Sequence, residues 1–206
     1  SSIMRCGQPL IGPTNRRCKE DENILKSLLT VNRGAIIDTR AKQIAQNARS
    51  KEVPVVVHGG EGTDTTLLAT SLAQVILDPD ARTIRGFESL IEREWICAGH
   101  PFQLRNAHSA YAEGTITGPQ ESPVFLCFLD AVYQIIAQFP HSFEFGEEFL
   151  IFLFEHAYAS EFGSFLGNNE MMKAELGVKR STVSLWSMFG KGFSSGGRVT
   201  GRRKII

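Results

Sequence analysis

The sequence has no excess of either charge: its 206 residues include 22 basic and 22 acidic side chains. That balance gives no reason to expect nucleic acid or another polyanion as a partner, and only residues 198–204 are locally basic. Cysteine is scarce too. Cys6, Cys18, Cys97 and Cys127 lie far apart, without the paired spacing of a zinc site or a disulfide framework. Neither metal nor cofactor is expected, and a reducing, cytosolic setting fits best. No apolar run reaches the ~18 residues that a membrane span requires, and the first six residues lack the apolar core of a secretion signal. The expectation is a soluble, intracellular chain.

What the chain does have is apolar residues, 42% of the total, enough for the core of one ordinary domain. Ile24, Leu25, Leu28 and Leu29 recur at helical spacing within residues 16–30, and Gly34 separates them from the strand-like run Ala35-Ile36-Ile37. Residues 41–50 read as helical. Residues 53–57 form a β-branched run of the kind buried on both faces, with Pro54 tolerated near its start. Leu67, Leu68, Leu72, Val75 and Ile76 predict a helix over 66–77. An amphipathic helix over 82–98 follows, then a loop at 114–123 and strongly apolar helices over 124–139 and about 147–160. On this pattern Phe125, Phe128, Phe149, Phe152 and Phe154 belong to the core, and Glu92, Arg93 and Glu94 read as a solvated helix face. Beyond Lys179 the periodicity fails, and a glycine- and serine-rich tail at 190–206, with no apolar face to bury, is expected to be disordered.

Between the strand at 53–57 and the helix at 66–77 lies the glycine-rich turn His58-Gly59-Gly60-Glu61-Gly62-Thr63-Asp64-Thr65. A strand, turn and helix in that order aim the amides of the helix start at one point, which suits a phosphate. The turn has neither the Lys of a nucleotide-binding loop nor the third glycine of a dinucleotide fingerprint. A cysteine-dependent phosphatase needs a low-pKa thiolate in such a turn and, after five intervening residues, an Arg that clamps the phosphoryl oxygens. Those two places hold Gly59 and Thr65. Thr65 and Thr66 are hydroxyls with no deprotonating neighbour in sequence, and one of them is expected to cap the helix. His58 reads as a polar strand end. Asp64 reads as scaffold, since a general acid without a nucleophile has no task.

In its order of residues the turn resembles the signature of the myotubularin phosphoinositide phosphatases, His-Cys-Ser-Asp-Gly-Trp-Asp-Arg-Thr in active members, with His58, Gly62, Asp64 and Thr66 matching. Arg82-Thr83-Ile84-Arg85-Gly86-Phe87-Glu88, Glu92-Arg93-Glu94-Trp95, Ser122-Pro123-Val124-Phe125-Leu126 and Phe162-Gly163-Ser164-Phe165-Leu166 extend the resemblance over residues 5–189. It implies an α/β fold: a partial cysteine-phosphatase-like domain at 1–189 with a helix-rich C-terminal part, followed by the tail. Arg5-Cys6-Gly7-Gln8-Pro9 and Glu155-His156-Ala157-Tyr158-Ala159-Ser160 resemble the family's inactive branch.

The resemblance therefore implies a pseudophosphatase, without catalytic residues, that acts as a regulatory partner of active myotubularin phosphatases. The alternative is a weak phosphatase using Thr65, Asp64 or His58. Pro101 stands where active members place a basic residue after Gly-His, while Arg105 is kept, so any phosphoinositide contact is expected to be weak. A family segment of several dozen residues has no counterpart before Val53, which suggests an internal deletion near 51–53. The N-terminal pleckstrin-homology and GRAM-type domain of the family is missing from this sequence, as are the heptads of a coiled coil, so partner binding by this shortened chain is expected to be weak. The implied location is cytoplasmic, peripheral on endomembranes for the full-length protein.

Overall fold

The computed structural model describes residues 3–6, 19–30, 35–38, 55–106 and 122–191. Strands β1 (Ile3–Cys6), β2 (Ala35–Asp38) and β3 (Val55–His58) form a parallel sheet in the order β1-β3-β2. β3 is central: Val55 pairs with Ile3 on one side and Ala35 on the other, and His58 pairs with Cys6 and Asp38. Parallel neighbours need a crossover, and α1 (Lys19–Thr30) lies in the chain between β1 and its neighbour β3. Val56 and Val57 are buried, as a β-branched central strand requires. β1 was not legible in the sequence, because Ile3-Met4-Arg5-Cys6 has a single β-branched residue. The predicted helix at 41–50 lies outside the described residues.

The remaining helices, in chain order, are α2 (Thr65–Leu77), α3 (Ile84–Ile91), α4 (Phe102–Arg105), α5 (Val124–Gln138), α6 (Glu147–Tyr158), α7 (Glu170–Glu175) and α8 (Val178–Ser181). α2 packs on α5, and α5 on α6. Phe87, Trp95, Phe125, Phe128 and Phe149, each no more than 2% exposed, form the aromatic centre of the core. Phe87 stacks on Phe128 at 5.8 Å between ring centroids, and Trp95 meets Phe125 edge-on at 5.0 Å. Phe152 and Phe154 pack against this cluster, partly buried. The five predicted core aromatics are all in place.

The helix predicted over 82–98 starts at Ile84 and runs on from Ile91 into a π-helical turn that ends at Ile96, with a separate 3-10 turn before it. Residues Pro79–Arg82 make a 3-10 turn whose start is capped by the Asp78 side chain. Thr83 is extended and caps α3, its Oγ1 accepting from the Gly86 N–H at 3.0 Å. A Cβ at Gly86 would overlap the Asp80 carbonyl, so the crossing of turn and helix needs glycine there. After α3 the chain widens into a π-turn, Glu92–Ile96, in which the Cys97 N–H reaches the Glu92 carbonyl at 2.8 Å.

Of the solvated face predicted for Glu92, Arg93 and Glu94, Arg93 is exposed as expected, but Glu92 is half-buried and Glu94 is buried. Glu94 accepts from Arg5 Nε of β1 at 2.9 Å and from Arg93 Nε at 3.0 Å. Burial pushes its carboxyl up, but hydrogen bonds from Arg5, Arg93 and Gln74 and the charge of Arg5 hold it below the ordinary range. Glu92 Oε2 accepts from Trp186 Nε1 at 2.8 Å. That bond anchors a 3-10 segment, Leu185–Lys191, where the sequence pattern had failed. Leu185 is fully buried and donates its N–H to Ser164 Oγ at 3.0 Å. Isolated anchors of this kind leave no period to detect. Residues 192–206 of the predicted tail lie outside the described residues.

Candidate functional site

The glycine-rich turn leaves β3 at its C-terminal end, where open parallel sheets place ligand sites. His58 closes the strand, Gly59 is buried and Gly60 is exposed. Gly62 has φ +79°, the left-handed region that glycine enters without strain. α2 then begins at Thr65, with Asp64 at its N-cap. The N-cap position belongs to Asp64, which makes no side-chain cap bond. Thr65 is exposed and Thr66 buried.

The Asp64 carboxylate turns instead toward α4. Arg105 Nη2 lies 2.5 Å from Asp64 Oδ2, and Arg105 Nε lies 3.2 Å from Oδ1. His100, which is buried, brings Nδ1 to 3.2 Å from Asp64 Oδ1 and 2.8 Å from the Thr63 carbonyl. Both neighbours are acceptors, so Nδ1 carries a proton. Burial would raise the Asp64 carboxyl, yet hydrogen bonds from His100 and Arg105, and their positive field, hold it below the usual carboxylate range. Glu61 is exposed but comes within 3.7 Å of Arg105 Nη2. Pro101 stands at the N-cap of α4.

The structure thus brings together Thr63, Asp64, Glu61 and Arg105 from the predicted set. It adds His100, which sequence reasoning missed. No local spacing could have found it, since His100 and Thr63 are 37 residues apart and Arg105 and Asp64 are 41 apart. Chemically the site offers a helix start, a guanidinium and two carboxylates. Cys97 and Cys127 are exposed thiols outside the turn. Among the described residues no group of His, Cys, Asp and Glu is placed to hold a metal ion, and no helix is long and apolar enough to cross a membrane.

The sequence profile of the myotubularin-like phosphatase domain matches residues 1–52 and 35–174. The chain belongs to the myotubularin family. It is similar to a myotubularin-related protein 9 from Caenorhabditis elegans, 51% identical over 267 aligned residues that take in 91% of this chain and 47% of the relative. The Homo sapiens protein of that name is 42% identical over 90% of this chain and 48% of its own length. A Bos taurus phosphatidylinositol-3,5-bisphosphate 3-phosphatase is 47% identical over 71% of this chain and 22% of its own length. The chain spans about half the length of the myotubularin-related protein 9 relatives. The helix-rich fold with a small parallel sheet suits part of a myotubularin phosphatase domain.

Proposed function

We propose that this chain is a catalytically inactive myotubularin that acts as a regulatory partner of active family phosphatases. The observation that carries the proposal is the content of the loop: Gly59 and Thr65 fill the places of the Cys and Arg in the active signature. Glycine has no thiol and a threonine hydroxyl has no fixed positive charge, so two separate requirements of the chemistry fail together. The alternative, a weak phosphatase working through Asp64, is disfavoured by the ionised carboxylate that Arg105 and His100 already engage. Such a group has no proton to give.

The substrate class proposed for the partner, a 3-phosphorylated inositol lipid, is supported by the Bos taurus relative, a phosphatidylinositol-3,5-bisphosphate 3-phosphatase. An internal deletion near residues 51–53 is supported by an aligned length of 267 residues against a chain of 206. The proposed location is the cytoplasm, where such lipids face the chain on endomembranes. The test adds the purified chain to an active myotubularin on phosphatidylinositol 3-phosphate vesicles. Phosphate release should rise, with half-effect at roughly micromolar concentration or weaker, and the chain should be retained weakly on the immobilised enzyme. A rate unchanged at every concentration, with no retention, overturns the partner reading.

A further inference from the structure

Between α7 and α8 the chain turns back on itself. Gly177 makes the return with φ +64°, the left-handed conformation that ends many helices. The turn sets Lys179 and Arg180 of α8 beside Lys173 of α7, around a cavity of 230 Å³ that Glu170 and Ala174 also line. The Arg180 guanidinium lies over the turn, with Nη2 3.9 Å from the place a Cβ on Gly177 would take. Lys173 is 9% exposed, and a charge buried to that degree needs partners for its donors. Among the described residues its Nζ donates to the Ser164 carbonyl at 3.0 Å and lies 3.5 Å from Glu170 Oε1. That carboxylate is shared, because its Oε2 lies 3.6 Å from Lys179 Nζ. The bond to Ser164 ties α7 to the preceding loop and uses one of the three ammonium donors. It gives no reason for Lys179 and Arg180, which are both exposed at the rim.

We propose that this notch is a binding site for a phosphate monoester, held by Lys173, Lys179 and Arg180. The site goes beyond the reading of the signature loop and shares no residue with it. Cations outnumber carboxylates around the cavity by three to one, in a chain whose formal charge is zero. The local excess of two positive charges matches a phosphate monoester, which is largely a dianion at neutral pH because its second pKa is about 6. The chemistry divides among the three side chains. Arg180 offers a planar fork to two phosphate oxygens, the lysines act as point charges, and Lys173 on the inner wall has donors left for a third oxygen. A soluble ester and a lipid headgroup present the same group, and the two probes below separate them.

Glycerol 3-phosphate is titrated into the chain and backbone amides are followed by NMR; separately, the chain is sedimented with phosphatidylcholine vesicles with and without phosphatidic acid. Glycerol 3-phosphate should shift the amides of Ala174, Gly177 and Arg180 saturably, with half-saturation near roughly 1 mM, and leave Gly60 and Gly62 of the signature loop in place. Lys179→Gln with Arg180→Gln changes only exposed side chains and should weaken binding roughly tenfold or more. Glu170→Gln removes the opposing carboxylate and should tighten binding roughly threefold or more. Saturable binding of the soluble ester that the double variant weakens supports a soluble ligand. Retention on phosphatidic acid vesicles that the double variant loses supports a lipid headgroup. No saturable response to either probe, shifts confined to the signature loop, or binding that the double variant keeps in full overturns the proposal.

Discussion

Glu94→Gln should cost the fold about 2 kcal/mol, although the sequence presents Glu94 as one charge in a solvated run. The side chain is only 12% exposed and joins Arg5 of β1 to Arg93 of the π-turn. Removing one member of a buried pair can cost ~3–5 kcal/mol when the partner is stranded without water. Here Arg5 and Arg93 keep 29% and 59% of their side-chain surface, so both rehydrate and the lower figure applies. For a domain of this size about 2 kcal/mol lowers the melting temperature by roughly 4–8 °C. Amide exchange along β1 should quicken as well, because Arg5 ties the strand to the π-turn. The pH dependence has a definite sign. A carboxyl held below its ordinary value of 4.5 in the folded chain contributes stability above that value, and the contribution is lost as pH falls through the folded-state value. The Glu94→Gln effect should therefore shrink in acid. A variant that melts within a degree of the wild type, with unchanged exchange in β1, would refute the reasoning.

Gly86→Ala should destabilise by ~1–3 kcal/mol in a denaturant titration, because its new methyl overlaps the Asp80 carbonyl; a neutral result would mean that the turn at Pro79–Arg82 yields without cost. Burial holds the His156 imidazole below its ordinary 6.5, against the opposing charges of Glu155 and Glu161. The unfolded chain then takes up the proton first, so stability should fall as pH drops from about 6.5 toward the folded-state value, and His156→Gln should flatten that part of the profile. Gly59→Cys with Thr65→Arg should not restore phosphate release to within tenfold of an active myotubularin, because Thr63 stands where the active signature has Trp and Pro101 where active members place a basic side chain. Activity within tenfold would show a pocket kept intact around two silent positions.

Elements with their own period were legible in the sequence. The stripe of Leu67, Leu68, Leu72 and Val75 placed the helix found at Thr65–Leu77, and the apolar run at 124–139 became Val124–Gln138. The Phe-rich core followed from the same spacing. What escaped detection depends on partners distant in sequence. Glu94 looks solvated until Arg5 is brought 89 residues along the chain to meet it, and Leu185 and Trp186 anchor a segment that shows no pattern of its own. The site divides in the same way. The turn, its glycines and the two altered positions could be read directly, since spacing within one loop defines them. The grip of Arg105 and His100 on Asp64 depends on how the π-turn and α4 fold back over the start of α2, and no local rule encodes that return.

The central claim is that the loop performs no phosphoryl transfer, and turnover of phosphatidylinositol 3-phosphate by the purified chain tests it most directly. Phosphate release is followed over many hours at high protein concentration, beside an active myotubularin and the variants His58→Ala and Asp64→Asn. The account predicts that wild type and both variants release no more phosphate than buffer. Wild-type turnover that either substitution abolishes would contradict it and would place a nucleophile or acid in the loop that carries Gly59 and Thr65.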